Sequence, residues 1–251
     1  MPKSKYAAIY QELKQRIEAM EYPYQDLLPS ENTLVQEFEC SRNTVRRAIA
    51  SLAADGYVQS LHGKGVRVIY ESNQHSQFLL NGIESFTEAC NRNGIPQHTK
   101  VIHFSEQVVD KNIREKTGLE EGAGIYYIQR VRYLDGVPLI VDHNYFLKEV
   151  AAGLTKEIAE QSIYDYLEKE LGVTITTTKR VITVERATGN DEENLELHGC
   201  NCVAVVSSMT YNADGVIFEY TQSRHSPSRF EFHEVAQRGS TPSLTMKTES
   251  S

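Results

Sequence analysis

The chain has 251 residues, 40% of them hydrophobic and 24% charged, with a formal net charge of −8. That length carries one large domain or two modest ones, and the composition excludes wholesale disorder. No apolar run approaches the roughly 18 residues that span a bilayer, and Met1-Pro2-Lys3-Ser4-Lys5 opens no signal-peptide core, so a cytoplasmic protein is expected.

Four cysteines, Cys40, Cys90, Cys200 and Cys202, lack framework spacing and read as reduced thiols. His198-x-Cys200-x-Cys202 fits none of the common zinc spacings, so no metal is expected there. The acidic balance is uneven. Residues 1–70 carry net +1 and the remainder net −9, and between Arg42 and Arg67 five basic residues face Asp55 alone. A local basic stripe on an acidic molecule suits groove docking while discouraging indiscriminate binding.

Tyr6, Ile9, Tyr10, Leu13, Ile17 and Met20 recur at helical spacing and predict a first amphipathic helix, ended by Pro23 and Leu27-Leu28-Pro29. Ser30 is an N-cap for a short second helix that turns Leu34, Val35 and Phe38 inward. After Glu39-Cys40-Ser41, a third helix capped by Ser41 buries Val45, Ala48, Ile49 and Leu52, and Gly56 closes it. Its polar arc holds Arg42, Asn43, Arg46 and Arg47. Two short strands, 57–61 and 66–70, flank the basic glycine turn His62-Gly63-Lys64-Gly65. The pattern fits a helix-turn-helix reader with a wing, and spacing alone also allows a helical bundle with a solvated basic face.

Leu28-Pro29-Ser30-Glu31, Ser41-Arg42-Asn43-Thr44-Val45-Arg46-Arg47-Ala48, Leu52-x-x-Asp55-Gly56-Tyr57 and His62-Gly63-Lys64-Gly65 together resemble the GntR-type winged helix. The resemblance implies DNA contacts from Arg42, Thr44 and Arg46 of the recognition helix and from His62, Gly63 and Lys64 of the wing. Ser30 and Asn43 join this candidate DNA-binding set.

Residues 71–77 read as a polar linker between a domain at 1–70 and a second domain at 78–239, with a frayed tail at 240–251. A short helix is predicted at 83–90. Strands are predicted at 99–108, 125–134, 137–146, 175–185, 203–211, 216–223 and 230–236, with helices at 111–116, 162–171 and 191–197. Asp135-Gly136 and Asp214-Gly215 are hairpin signals, so the expected class is α+β with a mostly antiparallel sheet.

No Gly-x-Ser-x-Gly, phosphate loop or paired metal-ligand motif occurs; neither an enzyme nor a cofactor is expected. Arg130-x-Arg132 places two guanidinium groups on one strand face, where they could grip a phosphate or simply meet solvent. Ser162-x-Tyr164 stands at a predicted helix start, which favours an anion.

Arg130-Val131-Arg132-x-x-Asp135-Gly136-x-Pro138, Ser162-Ile163-Tyr164-Asp165-Tyr166-Leu167 and Tyr220-Thr221-Gln222-Ser223-Arg224-His225 resemble the UTRA effector domain of the HutC subfamily. The resemblance implies a chorismate-lyase-like fold that binds a small ligand without turning it over. It implies that Arg130, Arg132, Ser162 and Tyr164 hold a phosphate, with backbone near Ser85 and Phe86 assisting, and that Asp142 and Gln222 contact a sugar. Asp142 and Gln222 stand where many relatives carry Glu, which leaves the hydroxyl pattern open.

Leu154-Thr155-Lys156-Glu157-Ile158, Glu170-Leu171-Gly172 and Arg238-Gly239 extend the likeness to trehalose operon repressors. It implies trehalose 6-phosphate as effector; the same architecture also accommodates an amino sugar phosphate, an amino-acid derivative or a fatty acid. A homodimer on near-palindromic operator DNA is expected, since two-fold symmetry in the protein is mirrored in its site.

Overall fold

A computed structural model describes residues 5–71 and 83–232, which fall into two compact units. Most of the expected linker, the start of the second domain at Phe78, its end at Gly239 and the tail lie outside the described residues.

The first unit contains α1 (Lys5–Glu18), α2 (Glu31–Glu37), α3 (Arg42–Ala54), β1 (Val58–Leu61) and β2 (Gly65–Val68). Each start and stop has a local cause. The Ser30 and Ser41 hydroxyls accept from the Thr33 and Thr44 amides, both at 3.2 Å, capping α2 and α3. Gly56, at φ +78°, turns the chain after α3 in a conformation that glycine adopts without strain. Leu13, Ile17, Leu34, Val45, Ala48, Leu52 and Val68 form a core sealed from solvent. At about 25 cal/mol per Å2 of apolar surface, burial of this kind is what holds three helices too short to persist alone. Tyr57 donates to Glu18 at 2.7 Å and stacks on Tyr70, fastening α1 to the wing base.

The second unit is a six-stranded antiparallel sheet in the order β3-β4-β5-β8-β7-β6. Its strands are β3 (Gln97–Val108), β4 (Gly124–Leu134), β5 (Val137–Leu147), β6 (Ile175–Arg186), β7 (Cys202–Asn212) and β8 (Ile217–His225). The helices are α4 (Phe86–Asn93), α5 (Lys111–Thr117), α6 (Lys156–Ala159), α7 (Ile163–Asp165) and α8 (Gly189–Asn194). Asp135 and Gly136 both adopt positive φ, +50° and +78°, as a tight hairpin between β4 and β5 requires.

One sheet face carries Val131, Val141, Val203 and Val205 against Leu195 and Leu197. There Arg224 grips Asp191 through Nε and Nη2 at 2.8–3.1 Å and donates to Glu185 at 2.6 Å, tying β8 to α8 and to edge strand β6. The other face meets α4, α6 and α7.

Three expectations are corrected, and one element was not expected. The helix predicted at 83–90 begins at Phe86, because Ser85 and Glu88 form a capping box. The helix predicted at 162–171 is a three-residue α turn followed by a π turn, Tyr166–Glu170. The short α6, capped by Thr155, was not foreseen. Residues 230–232 form no strand: Pro227 opens a 3-10 turn after β8, and residues 233–236 lie outside the described residues.

Candidate functional site

Strand pairing decides which side chains share a face. Arg130 stands opposite Asp142, Asp142 opposite Ser223, and Ser223 opposite Val206. Arg132, two residues along β4, joins the same face. A β-bulge in β3 between Val101 and His103 puts Thr99, Val101 and Phe104 on it as well, despite their mixed parity. Over this face lies a cavity of about 190 Å3, lined from β4, β5, β8, β7 and β6 and covered by Phe86 and Thr87 of α4 and Ile163 and Tyr164 of α7.

Arg130 and Arg132 are only 4% and 7% exposed, so neither sits on a solvated face. Arg132 donates from Nε to Asp142 at 2.8 Å and from Nη1 to Thr99 at 2.9 Å, and its guanidinium lies 4.8 Å from the Phe86 ring centre. Arg130 donates from Nε to Asn144 at 2.8 Å and lies 3.7 Å from Asp142. From Asn144 a hydrogen-bonded chain crosses the cavity floor. Asn144 donates to Thr221 at 2.7 Å, Thr221 donates to Glu219 at 2.7 Å, and Tyr164 donates to the other Glu219 oxygen at 2.6 Å.

Burial opposes ionisation of Asp142, yet Arg132, Arg130 and the Ser223 hydroxyl outweigh it and hold the carboxyl below its ordinary range. Burial and the like charge of Arg132 push Arg130 down to about 9, which still leaves it charged at neutral pH. Burial and the neighbouring Glu219 raise Tyr164 well above a free phenol, so its hydroxyl remains a donor. Two buried guanidinium groups share the Asp142 carboxylate, with Glu219 acting on Arg130 from further along the floor, and their N–H groups are donors that suit an anion.

The structure brings Ser85, Phe86, Arg130, Arg132, Asp142 and Tyr164 to the cavity, and leaves two expected residues out. Ser162 caps α7, accepting from the Asp165 amide at 3.2 Å, and lines an adjoining groove with Thr99 and His98. Residues two apart at a helix start point in different directions, so Ser162 and Tyr164 do not face one cavity. Gln222 is opposite His143 and Ser207 on the far face, because Glu219, Thr221, Ser223 and His225 are the cavity-facing set of β8. Sequence reasoning missed Glu219, Asn144, Thr221 and Arg180. A signal for the β8 pair existed, since Glu219 and Thr221 alternate with Tyr220 and Gln222.

In the first unit, Arg42, Asn43, Arg46 and the wing-tip residues His62, Gly63 and Lys64 are exposed. Thr44 is half-buried, with its hydroxyl 2.8 Å from that of Ser41. Arg46 Nε donates to both oxygens of Glu31 at 3.0 and 3.1 Å, and Arg42 donates to Asn32 at 2.8 Å, so α2 orients two side chains of α3. Arg47, though exposed, packs over the Tyr6 ring at 3.8 Å and so braces α1. Gly63, at φ +69°, forms the wing turn.

An exposed basic helix after a tight turn, a glycine wing and a separate polar pocket define a DNA-binding regulator with a ligand-sensing domain. The model of the gntR family of bacterial regulatory proteins matches residues 5–68, and that of the UTRA domain matches residues 93–231. The chain belongs to the GntR family of transcriptional regulators, pairing a helix-turn-helix DNA-binding domain with a UTRA effector domain.

It is 35% identical to the HTH-type transcriptional regulator TreR of Bacillus subtilis over 95% of this chain and 100% of that one. The effector-binding domain of the B. subtilis trehalose repressor is also 35% identical, with a TM-score of 0.52 over 57% of this chain and 99% of its own. The possible transcriptional regulator YydK from B. subtilis superposes with a TM-score of 0.77 at 25% identity, over 93% of this chain and 99% of its own. Among the described residues no helix is long and apolar enough to cross a membrane.

Proposed function

We propose that this regulator represses a trehalose-utilisation operon and leaves its operator when a phosphorylated sugar, trehalose 6-phosphate, fills the UTRA cavity. The observation that carries the reading is the pair of buried guanidinium groups, Arg130 and Arg132, sharing one carboxylate in a covered cavity. A phosphate there accepts hydrogen bonds from both guanidinium groups, while Asp142 and Tyr164 meet hydroxyls. The name of the 35% identical relative supports a trehalose ligand.

The cavity, about 190 Å3, is smaller than the roughly 300 Å3 at which ligand pockets usually begin, so α4 shifts to admit the sugar. Phosphate on Arg132 competes with the Phe86 ring at the start of α4, and the chain before α4 leads back to the DNA-binding domain. The ligand shifts operator affinity by as much as its own affinities for the DNA-bound and free states differ.

On DNA, Arg42, Asn43, Thr44 and Arg46 read the major groove, Ser30 holds the entry to α2 at the backbone, and His62, Gly63 and Lys64 approach the minor groove. The protein acts as a homodimer. Edge strand β6, which exposes Val181 and Val184, supports that association.

The test is fluorescence anisotropy of DNA from the gene's own upstream region, at stated salt, titrated with a panel of sugar phosphates. Release by trehalose 6-phosphate is expected. Tight binding that no phosphosugar disturbs removes the effector reading and leaves the DNA reader.

A further inference from the structure

Arg180 on β6 stands four strands from Arg130 and Arg132 on β4 in the sheet. Arg180 on β6 pairs with Ser208 on β7, Ser208 with Thr221 on β8, and Thr221 with Asn144 on β5, forming one polar row across four strands. With neighbouring strands about 4.8 Å apart, the backbone of Arg180 is roughly 14 Å from that of Asn144. All four side chains line the cavity, and the half-buried Arg180 is electrostatically coupled to Tyr164 and Glu219. The cavity therefore holds the paired guanidinium groups of Arg130 and Arg132 toward β4 and, toward β6, a row in which a guanidinium, a carboxylate and hydroxyls alternate. Such alternation of fixed donors and acceptors matches the vicinal hydroxyls of a sugar ring. The backbones of Arg130 and Arg180, four strands apart, are roughly 19 Å from one another, and Tyr164 and Glu219, coupled to both arginines, lie between them.

We propose that Arg180, with Ser208 and Glu219, forms a distal subsite that binds the second ring of a two-ring sugar phosphate and selects it over a one-ring sugar phosphate. The proposal rests on the phosphosugar reading above. Arg180 donates to ring hydroxyls and Glu219 accepts from them, so the subsite measures ligand length as well as charge.

The test is calorimetric titration of the full chain with trehalose 6-phosphate and, separately, glucose 6-phosphate, for wild type, Arg180→Gln and Arg180→Lys. Arg180→Gln is expected to weaken the two-ring ligand about ten-fold or more, the worth of a charge-assisted hydrogen bond, and to leave the one-ring ligand unchanged. Arg180→Lys, which keeps the charge, is expected to lose less. Equal weakening of both ligands, or of neither, overturns the distal subsite while leaving the phosphosugar reading intact. A wild-type protein that binds neither ligand overturns that reading and the subsite with it. Unchanged one-ring affinity also shows that the variant is folded.

Discussion

The two units treat arginine in opposite ways. In the DNA-binding unit Arg46 is paired with Glu31 while remaining 60% exposed at its side chain, and Arg42 leans on Asn32 at the surface. In the UTRA unit Arg130 and Arg132 are sealed from water and held by Asp142, Asn144 and Thr99. Surface pairs of the first kind contribute about 0–1 kcal/mol and exchange readily for phosphate or a base edge. A buried charge must always have a partner, so the second kind exchanges only when a ligand brings one. Under the proposed function, reader and sensor use the same side chain, once paired at the surface and once paired in the interior.

The comparison breaks most visibly at Asp142. Asp142→Ala leaves two buried cations uncompensated and is expected to cost about 3–5 kcal/mol in denaturant unfolding of the full chain, whereas Asp142→Asn, which keeps a hydrogen-bonding group, costs less. The folded pKa of Asp142 is depressed. Its contribution is therefore complete above the unfolded value near 3.8 and is lost as pH falls through the lower folded value, so acid unfolding of the wild type should show a carboxylate-linked loss that Asp142→Asn lacks.

Next in size is the loss of response. Arg132→Ala should retain operator affinity and forfeit release by trehalose 6-phosphate, an effect of about 1–3 kcal/mol in coupling, read by anisotropy with and without ligand. A normal response removes Arg132 from the phosphate site. Arg46→Ala should lose about 1–3 kcal/mol of operator binding with little change on random DNA, as competition titration would show. At the small end, Gln222→Ala should leave ligand selectivity unchanged, because the side chain is on the far face of the sheet. An altered preference between sugars would contradict the register.

What was legible in the sequence follows from how local each cause is. Ser30, Ser41 and Gly56 cap and close their helices within a few residues of chain, so the winged helix was readable almost to its boundaries. The β4–β5 hairpin was readable for the same reason. The start of α4 was legible too, in Ser85-Phe86-Thr87-Glu88, but the apolar Ile83 drew the predicted start upstream. The cavity was less accessible. Arg130 and Arg132 share a face by simple alternation, yet their burial depends on α4 and α7, which arrive from distant parts of the chain. Arg180 and Glu219 reach the same cavity only through the pairing of β6, β7 and β8, which includes irregularities at Ile175–Thr177 and at Thr210–Tyr211. Lone charges in strands give no hint of such a register, and Gln222 was placed by resemblance where alternation argues against it.

Reciprocity tests the coupling between the two units most directly. The affinity for trehalose 6-phosphate would be measured on the free protein and on the protein saturated with operator DNA. The phosphosugar should bind the DNA complex more weakly, by the same factor by which it weakens operator binding. Equal affinity in the two states would contradict the account, leaving a reader and a pocket on one chain with no link between them.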